Sequence, residues 1–333
     1  MDVLSDVLMA VRLTGAVFYD VEARPPFVST SPSSEAIAAR MIAGAEHVIG
    51  FHVMTDGVAW TEPVDDPSTA LQLRAGEIVI FPGGDANVMA SAPGMRSEPQ
   101  WEKFHRPVLG LLPTSIVLDD VGDGDAEPCH FVCGYFSCDV RPFNPLLESL
   151  PQTLHAPVSP QAWQWMTALL DAAVETSQQH DAGREATLAK LAELMFVEAI
   201  RHHIASLPDD ATGWVAGLRD PQIGAGLRAI HEHPQRAWTI DLLAREVAMS
   251  RSSFAERFTA LVRMPPMTYL TRWRLQRAAR LLESAGLSVA AAAAAVGYES
   301  ESAFTRAFKR HLGESPGAWR RAAAARADLL TAP

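Results

Sequence analysis

The stretch SRSSFAERFTALVRMPPMTYLTRWRLQRAARLLESAGLSVAAAAAAVGYESESAFTRAFKRHLGESPGAWRR, residues 250–321, contains one helical pattern written twice, fifty positions apart. The landmarks that share this register are Ser250 with Ser300, Phe254 with Phe304, Phe258 with Phe308, Pro266 with Pro316, and Tyr269 with Trp319. Self-similarity at a fixed period indicates a repeated supersecondary unit. Two helix-turn-helix units in tandem predict a protein that reads two turns of DNA.

Each unit consists of a supporting helix and a reading helix. WTIDLLAREVAM (238–249) precedes the first reading helix, and SVAAAAAAVGY (288–298) precedes the second. Ser250 and Ser300 are predicted to cap the reading helices, because a serine hydroxyl accepts a backbone N–H that lacks a partner. MTYLTRWRLQRAARLLES (267–284) has no Pro or Gly, so we expect one continuous rod that fixes the distance between the reading helices.

The charge distribution supports DNA binding by this region. The chain has a formal net charge of −11, but residues 218–321 carry 16 Lys and Arg against 9 Asp and Glu, a balance of +7 that leaves −18 for the remainder. Phosphate binding requires local positive charge, so the whole-chain charge says little about it.

Upstream of the repeat, the pattern changes from strands to helices. GAVFYDV (15–21), EHVIGFHVM (46–54), GVAWTE (57–62) and GEIVIFP (76–82) read as short strands separated by Gly, Pro and Asp, which favours a small barrel or sandwich. From Ser159 onward, apolar residues recur at three- and four-residue steps, which predicts a helical hairpin. LPDDATGWVAG (207–217) is typical of a linker, and Asp220 followed by Pro221 predicts a helix start.

The repeat closely resembles the DNA-binding domain of the AraC/XylS family of bacterial transcription regulators over about a hundred residues. GYESESAFTRAFKRHLGESPGAWR (297–320) is the most specific part. The resemblance implies that the positions facing the bases are Ser252, Ala255 and Glu256 in the first reading helix and Glu301, Ser302, Thr305 and Arg306 in the second. Ala255 and Glu256 are unusual there, because many relatives carry longer donors.

The two reading helices are therefore expected to contribute unequally to base recognition. Arg306 can make a bidentate contact to a guanine edge, which discriminates by roughly 1–3 kcal/mol. Glu256 only accepts hydrogen bonds, which favours a cytosine amino group or no base contact. The residues that we assign to phosphate contacts are Arg251, Arg257, Arg274, Arg277, Lys309 and Arg310. For any single one of them, a solvated helix face is an equally good interpretation.

The strand region resembles the cupin-type sensing domain of a subset of these regulators. LRAGEIVIFPGGDAN (73–87) matches the second cupin motif, and HFVCGYFSCDVRPFNPLLESLP (130–151) is similar to a segment that recurs in the subset. Enzymatic cupins hold a metal with an H-x-H pair, a carboxylate and a later His, whereas this chain has only His52, and Asn87 stands at the last position. A single imidazole is a poor metal site. We therefore expect no enzyme, and a cupin dioxygenase or isomerase is a remote alternative.

The cysteines lie close together, and their role stays open. Cys129, His130, Cys133 and Cys138 offer four ligands within ten residues, but without the C-x2-C spacing of structural zinc. Three interpretations compete: buried thiols that act as apolar side chains, a zinc or other metal site completed by a distant His such as His52 or His155, and a redox or electrophile sensor. On a regular strand Cys129 and Cys133 share one face and Cys138 the other.

A small organic effector inside the barrel is the leading hypothesis for sensing. The aromatic and imidazole side chains that we predict for its walls are Phe51, His52, Trp60, Phe81 and Trp101, although such residues also simply fill cores. His202 and His203 are adjacent on a helix and diverge by about 100°, so they do not form one ligand pair.

The fold class predicted from these patterns is α+β with two domains: a cupin-like β-barrel with a helical hairpin, then an all-α tandem helix-turn-helix domain. The expected boundaries are 1–157 for sensing, 158–207 for a dimerising hairpin, 208–217 for a linker, 218–322 for DNA binding and 323–333 for a tail. The expected partners are double-stranded DNA, a second copy of the chain, an effector and, for an activator, RNA polymerase. Acids at the N-terminus and no long apolar run predict a cytoplasmic protein without membrane contact.

Overall fold

The computed structural model describes residues 2–11, 13–42, 45–104, 114–118, 127–138, 143–175, 184–284 and 287–331. The chain divides into two compact units, each assembled from separate stretches. The sheet unit comprises Leu13–Asp139 and Leu150–Ser206. The helical unit comprises Met1–Arg12, Val140–Ser149 and Leu207–Pro333.

The sheet unit contains two sheets. The strands are β1 Leu13–Ala23, β2 Val28–Ser31, β3 His47–Asp56, β4 Val58–Pro63, β5 Leu71–Arg74, β6 Glu77–Phe81, β7 Asn87–Ala90, β8 Thr114–Leu118, β9 Cys129–Cys138 and β10 Leu154–Pro157. One sheet has the order β10-β6-β3-β9-β1-β8 and the other β2-β7-β4-β5. All pairings are antiparallel except β1 with β8. The strands predicted from residues 15–82 are confirmed.

The two faces of the six-stranded sheet bury different side chains. In register, His52 lies opposite Cys133 and Phe51 lies opposite Gly134. Neighbouring residues of a strand point to opposite faces. The face with Phe51 and Phe136 carries helix packing, since the Phe136 ring lies 5.5 Å from the Phe196 ring. The helices of this unit are α2 Ser34–Arg40 and the predicted hairpin, α3 Pro160–Glu175 and α4 Arg184–Ser206.

The helical unit contains both predicted helix-turn-helix units. Its helices are α1 Val3–Val11, α5 Trp214–Arg219, α6 Pro221–Glu232, α7 Ile240–Glu246, α8 Arg251–Val262, α9 Pro266–Ser284, α10 Val289–Ala295, α11 Glu301–Leu312 and α12 Pro316–Thr331. Ser250 and Ser300 cap α8 and α11 as predicted, accepting backbone N–H groups at 3.2 and 3.3 Å. Asp220 caps α6. The connector is one continuous helix, α9.

The aromatic core repeats with the sequence. Phe254 and Phe258 lie 5.6 Å apart, and Tyr269 lies 5.9 Å from Phe258. In the second unit, Phe304 and Phe308 lie 5.4 Å apart, with Trp319 at 6.0 Å from Phe308. The beginning of α9 supplies Tyr269 to the first core, whereas its later residues Leu275, Ala278 and Leu282 join the second. One rigid helix therefore holds both units.

A buried chain of hydrogen bonds ties α1 and α5 to the helical unit. Trp214 Nε1 donates to the Tyr269 hydroxyl at 2.7 Å, the hydroxyl lies 2.8 Å from His231 Nε2, and His231 Nδ1 lies 2.9 Å from Asp6 Oδ2. The indole N–H donates to the Tyr269 oxygen, and the Tyr269 O–H donates to Nε2 when His231 carries its single proton on Nδ1. His231 is then neutral and donates its Nδ1 proton to Asp6. Burial lowers the pKa of His231, which agrees with the neutral form.

Residues 143–149 also pack within the helical unit. The backbone N–H of Phe143 donates to Gln276 Oε1 at 2.9 Å, and both residues are buried. The Phe143 ring lies 5.5 Å from Tyr269, and the Arg272 guanidinium lies 4.6 Å from its centre. This aromatic and cation–π packing orders the segment against α9.

The units depart from the boundaries expected from the sequence in three places. Residues 1–12 and 140–149 were assigned to the sensing domain, and 214–217 to the linker, but all three stretches lie in the helical unit. Trp214 is only 2% exposed. The Gly and Asp residues near Trp214 in the sequence favour a loop, but burial of the indole outweighs that local preference. The helical unit resumes at Leu207, directly after α4 ends at Ser206.

Candidate nucleic-acid interface and sensing cavity

The outward faces of α8 and α11 carry the positions predicted to face bases. Because Phe254 and Phe258, or Phe304 and Phe308, point into the core, the opposite helix face is left outside. The outward residues of α8 are Ser252 and Glu256, both exposed, and the half-buried Ala255. Those of α11 are Glu301, Ser302 and Arg306, all exposed, and the half-buried Thr305.

Each reading helix begins with a hydrogen-bonded pair of serines. The hydroxyl groups of Ser250 and Ser252 lie 3.2 Å apart, and those of Ser300 and Ser302 lie 2.8 Å apart. The capping serine thus orients the serine hydroxyl at the first reading position. This arrangement is the same in both units.

Around the first reading helix, the basic side chains have local partners. Arg251 lies 3.5 Å from Asp241, and Arg257 Nε donates to Asp220 Oδ2 at 3.0 Å. Burial alone would raise the pKa of Asp220, but the backbone N–H of Ile223 and the guanidinium of Arg257 bring that pKa below its usual value. To contact a DNA phosphate, each of these arginines must either bind the phosphate and its carboxylate together or break the ion pair.

Arg274, also predicted to contact phosphate, bonds to backbone within the unit. Its Nε donates to the carbonyl oxygen of Pro234 at 2.6 Å, and Nη2 donates to that of Arg236 at 2.8 Å. Burial lowers its pKa. The side chain therefore holds the turn between α6 and α7, and its predicted phosphate contact stays a prediction.

The second reading helix presents cations that are not neutralised locally. Arg306, Lys309 and Arg310 are exposed on α11. Within the described part of the chain, none of the three lies within 4.0 Å of a carboxylate oxygen. Arg277, the remaining predicted phosphate contact, is exposed on α9 and lines a pocket beside α1. The charges of Arg306, Lys309 and Arg310 are therefore available to an external anionic partner such as DNA.

The sheet unit contains a small cavity under α2. Its polar lining is Ser29, Thr30, Ser31, Gln100 and Tyr135, and its apolar lining is Pro32, Ile37, Met41, Pro99, Trp101 and Phe104. The volume is about 10 Å³, which is room for about one water molecule. An organic effector therefore requires α2 or the segment around Trp101 to move.

A buried polar pair lies deeper in the same unit. His52 Nε2 lies 2.8 Å from Asn87 Oδ1, and the imidazole is edge-on to Phe81 at 6.0 Å. Burial lowers the pKa of His52 to about 4, so the ring is neutral. Its Nδ1 is buried and has no hydrogen-bond partner among the described residues.

These residues do not fit the metal that the cupin fold often carries. A metal site needs several converging nitrogen, oxygen or sulfur ligands, and here the amide of Asn87 occupies His52 Nε2. Among the described residues, no three His, Cys, Asp or Glu side chains converge on a point. We derive no chemistry through a metal.

The predicted effector wall is only partly brought together. His52 and Phe81 face the interior, and Trp101 lines the cavity beneath α2, with the Arg40 guanidinium 4.4 Å from its ring. Phe51 lies on the opposite face of the sheet, 5.9 Å from Phe136. Trp60 is half-buried on the strand face that carries the exposed Val58.

The residues that sequence reasoning missed at this cavity are Tyr135 and the Ser29–Ser31 segment. A signal for Tyr135 was present, since it lies two positions after Cys133 and four after Phe131, on the same strand face. The same alternation separates Phe51 from His52. The approach of β2 and α2 to this point has no local signal.

The cysteine cluster is split between two strand faces. β9 is an uninterrupted strand, so Cys129 and Cys133 share one face while His130 and Cys138 share the other. None of the three cysteines forms a disulfide, and all three are buried. Burial raises the pKa of Cys129 to about 11 and that of Cys133 further. Thiolates, which metal binding and oxidation both need, are therefore disfavoured.

Comparison with known proteins agrees with this architecture. A family model described as a cupin matches residues 2–205, and one described as a helix-turn-helix domain matches residues 243–322. An AraC-like transcription regulator of Streptomyces lividans is 34% identical over 280 residues, covering 83% of this chain and 88% of the relative. The RCS-specific transcriptional activator RclR of Escherichia coli is 30% identical over 283 residues, covering 84% and 86%.

Among solved structures, the DNA-binding domain of AdpA in complex with a target DNA is 36% identical, covers 32% of this chain and 96% of that chain, and has a TM-score of 0.31. Within the described residues, no helix combines the length and apolar character needed to cross a membrane. The sheet-rich cupin domain, the tandem helical repeat and the full-length relatives lead to one conclusion: this chain belongs to the AraC family of DNA-binding transcription regulators with a cupin-type N-terminal domain.

Proposed function

We propose that this regulator reads its operator mainly through the second helix-turn-helix unit. The observation that carries the proposal is the outward face of α11, where Arg306, Lys309 and Arg310 are exposed and not paired with described carboxylates. Thr305 and Ser302 lie on the same face. Arg306 takes the role of base reader, and Lys309 and Arg310 take phosphate contacts. Ser252, Ala255 and Glu256 then supply fewer donors from α8.

Arg251, Arg257 and Arg274, which the sequence also assigns to phosphate contacts, have smaller roles in this proposal. The guanidinium groups of Arg251 and Arg257 already form ion pairs with Asp241 and Asp220. Arg274 supports a turn through backbone carbonyl groups. DNA contact at these positions requires an exchange of partners, so each contributes less affinity than an unpaired cation does.

The effector is proposed to be a small organic molecule that enters the cavity under α2. The cavity combines hydroxyl groups from Ser29 to Ser31 and Tyr135 with apolar walls from Ile37, Met41 and Trp101. Because the cavity has room for about one water, binding requires opening, and opening is a second conformational state that a ligand can favour. The thiol- and metal-responsive alternatives have less support, since the cysteines are buried with raised pKa values.

The hairpin is proposed to join two copies of the chain. Leu169 on α3 is 36% exposed and Leu194 on α4 is 47% exposed, which leaves apolar surface on both helices. In sedimentation velocity, Leu194→Glu should convert a dimer into a monomer, whereas Val58→Glu, the same kind of change at an exposed apolar residue outside the hairpin, should not. A wild-type monomer at all concentrations would contradict this part.

The remaining features follow from DNA as the partner. We propose that the protein works in the cytoplasm, that it contacts RNA polymerase if it activates, and that it catalyses no reaction. His52 does not support an enzymatic role, because its Nε2 atom is already hydrogen-bonded to Asn87.

The test uses duplexes selected from a random pool by the full-length protein. Arg306→Ala should weaken binding to the selected duplex by roughly 10- to 100-fold and relax the preference at one base pair, since a bidentate contact discriminates by about 1–3 kcal/mol. The matched control is Arg201→Ala, an exposed arginine of the sheet unit. Uniform weakening without loss of preference would make Arg306 a phosphate contact. Unchanged binding would contradict the proposal.

A further inference from the structure

A second pocket lies within the helical unit, between α1 and α9. It has a volume of about 210 Å³ and is lined by Asp6 and Met9 of α1 and by Trp273, Arg277, Arg280 and Leu281 of α9. The α9 residues lie at i, i+4, i+7 and i+8 from Trp273, so they form one helix face. No residue of the barrel cavity contributes to it.

The wall formed by α1 is held in place independently of any ligand. Val3 and Val7 are buried, and Asp6 Oδ2 lies 2.9 Å from His231 Nδ1. The Asp6 carboxylate therefore has a protein partner of its own. The hydrogen bond to His231 holds the carboxylate at the wall of the pocket.

Two of the three charged side chains that line the pocket are cationic. The guanidinium groups of Arg277 and Arg280 border a small volume that also contains one carboxylate, Asp6. Arg277 is exposed and lies within 4.0 Å of no carboxylate oxygen in the described part of the chain. A carboxylate matches the planar donor pair of a guanidinium, so a bound organic anion can pair with Arg277.

The rest of the wall is suited to an apolar group. Met9 is 67% exposed at the mouth, although large apolar side chains favour burial. Leu281 and the Trp273 ring complete the apolar surface. Trp273 is 1% exposed, and its buried indole N–H has no hydrogen-bond partner among the described residues. The volume is below the 300–1,000 Å³ or so of sites for drug-sized ligands, so the occupant is small.

We propose that this pocket binds a small organic anion, a carboxylate joined to an aryl or short alkyl group. The carboxylate pairs with Arg277 and Arg280, and the apolar part lies against Met9, Trp273 and Leu281. Because the occupant touches both α1 and α9, it stabilises α1 on the helix that joins the two reading units. An influence on operator affinity rests on the proposed function, but binding of the anion does not.

The test is isothermal titration of the full-length protein, without DNA, using benzoate and hexanoate as probes. At least one of the two should bind, and benzamide, the neutral analogue of benzoate, should bind at least tenfold more weakly than benzoate. Arg277→Gln combined with Arg280→Gln should weaken binding at least tenfold. Arg228→Gln, which removes an exposed charge of α6 outside the pocket, should leave it unchanged.

A second variant keeps the test decisive if the double variant melts early. Met9→Asp changes an exposed side chain and places a negative charge at the mouth, so it should also weaken anion binding. The proposal is overturned if neither probe binds, if benzamide equals benzoate, or if binding survives both pocket variants. Loss of anion binding by Met9→Asp, which is not among the predicted DNA contacts, together with normal operator binding would support the pocket and separate it from DNA recognition.

Discussion

The two helix-turn-helix units share helices, caps and aromatic rings, but they differ at two kinds of position. The first difference is backbone: the left-handed residues are Ala248 (φ 54°) and Arg263 (φ 59°) in the first unit, and Gly297 (φ 85°) and Gly313 (φ 83°) in the second. The second difference is charge: Arg251 and Arg257 of α8 lie within 4.0 Å of carboxylates, whereas Arg306 and Arg310 of α11 have no such partner among the described residues. A repeated fold therefore does not imply a repeated task.

This difference indicates that the two helix-turn-helix units have different roles in DNA binding. The first unit is bound to other parts of the chain, through Tyr269 to Trp214 and His231 and through Arg257 to Asp220. The second unit packs on α9 and α12 and keeps its cations for an external partner. We infer that the first unit positions the protein and that the second supplies most of the contact energy with DNA.

The largest expected effect is removal of a core ring from one unit only. Phe308→Ala should cost about 3–5 kcal/mol, because a buried aromatic ring leaves a cavity beside Phe304 and Trp319. Hydrogen exchange should show lost protection in α10 to α12 and retained protection in α5 to α8. The matched change, Phe258→Ala, should show the reverse. Equal loss in both units would break the comparison.

A glycine that only one unit has should come next. In Gly297→Ala, the new Cβ would lie 2.4 Å from the carbonyl oxygen of Gln235, and the residue would keep a positive φ. We expect a cost of roughly 3 kcal/mol in urea unfolding, from strain and overlap together. Gly313→Ala is the control, since nothing lies within 4 Å of its Cβ and only strain remains. Equal costs would show that the Gln235 contact relaxes.

Salt dependence measures the charge difference directly. Lys309→Gln and Arg310→Gln should each reduce the slope of log affinity against log salt by about one, because each removes one phosphate contact. Arg251→Gln and Arg257→Gln should reduce it less, since Asp241 and Asp220 already compensate those charges. The readout is fluorescence anisotropy of a selected duplex across salt concentrations. A larger change for the α8 variants would reverse the division of work.

Replacing the left-handed alanine of the first unit, Ala248, by glycine should stabilise that unit slightly. Ala248 is exposed and holds a left-handed conformation that glycine adopts without strain. Ala248→Gly should raise stability by about 0.5–1 kcal/mol in thermal melting. A lower melting temperature would mean that the larger freedom of glycine in the unfolded chain outweighs the relief of strain.

The smallest effect concerns pH and the first unit only. Burial lowers the pKa of His231, and Arg277 lowers it further, while Asp6 partly offsets both. The unfolded chain therefore binds a proton more readily, so this contribution is complete above the unfolded pKa of 6.5 and is lost as pH falls below it. Between pH 7.5 and 5.5, His231→Gln should show a shallower loss of melting temperature than wild type. Identical slopes would remove His231 as the cause.

Much of the helical unit could be predicted because its signals are local. A capping serine, a ring every fourth residue and a connector without Pro or Gly are each read within one helix. The pairing of Asp6 with His231 could not, since the two residues are 225 positions apart and neither belongs to a pattern. For the same reason the sequence did not place Phe143 beside Gln276, 133 positions away.

The walls of the cavity under α2 could be predicted only in part. Phe51 and His52 are neighbours in one strand, so they cannot face the same cavity. Trp101, another predicted wall residue, lines the cavity beneath α2, and its role in effector binding stays a prediction. Tyr135 could be predicted by applying the alternation of strand faces to the cysteine segment. The contribution of Ser29 to Ser31 could not, because it depends on how two sheets meet.

The bond between Asp6 and His231 has a consequence for biosynthesis. A ribosome adds roughly 5–20 residues per second, so His231 emerges on the order of ten to forty seconds after Asp6. During that interval the apolar side of α1, with Val3 and Val7, has no docking partner from the helical unit. Docking of α1 must therefore wait until α6 and α9 have been made, and the nascent chain offers chaperones a defined hydrophobic stretch in the meantime.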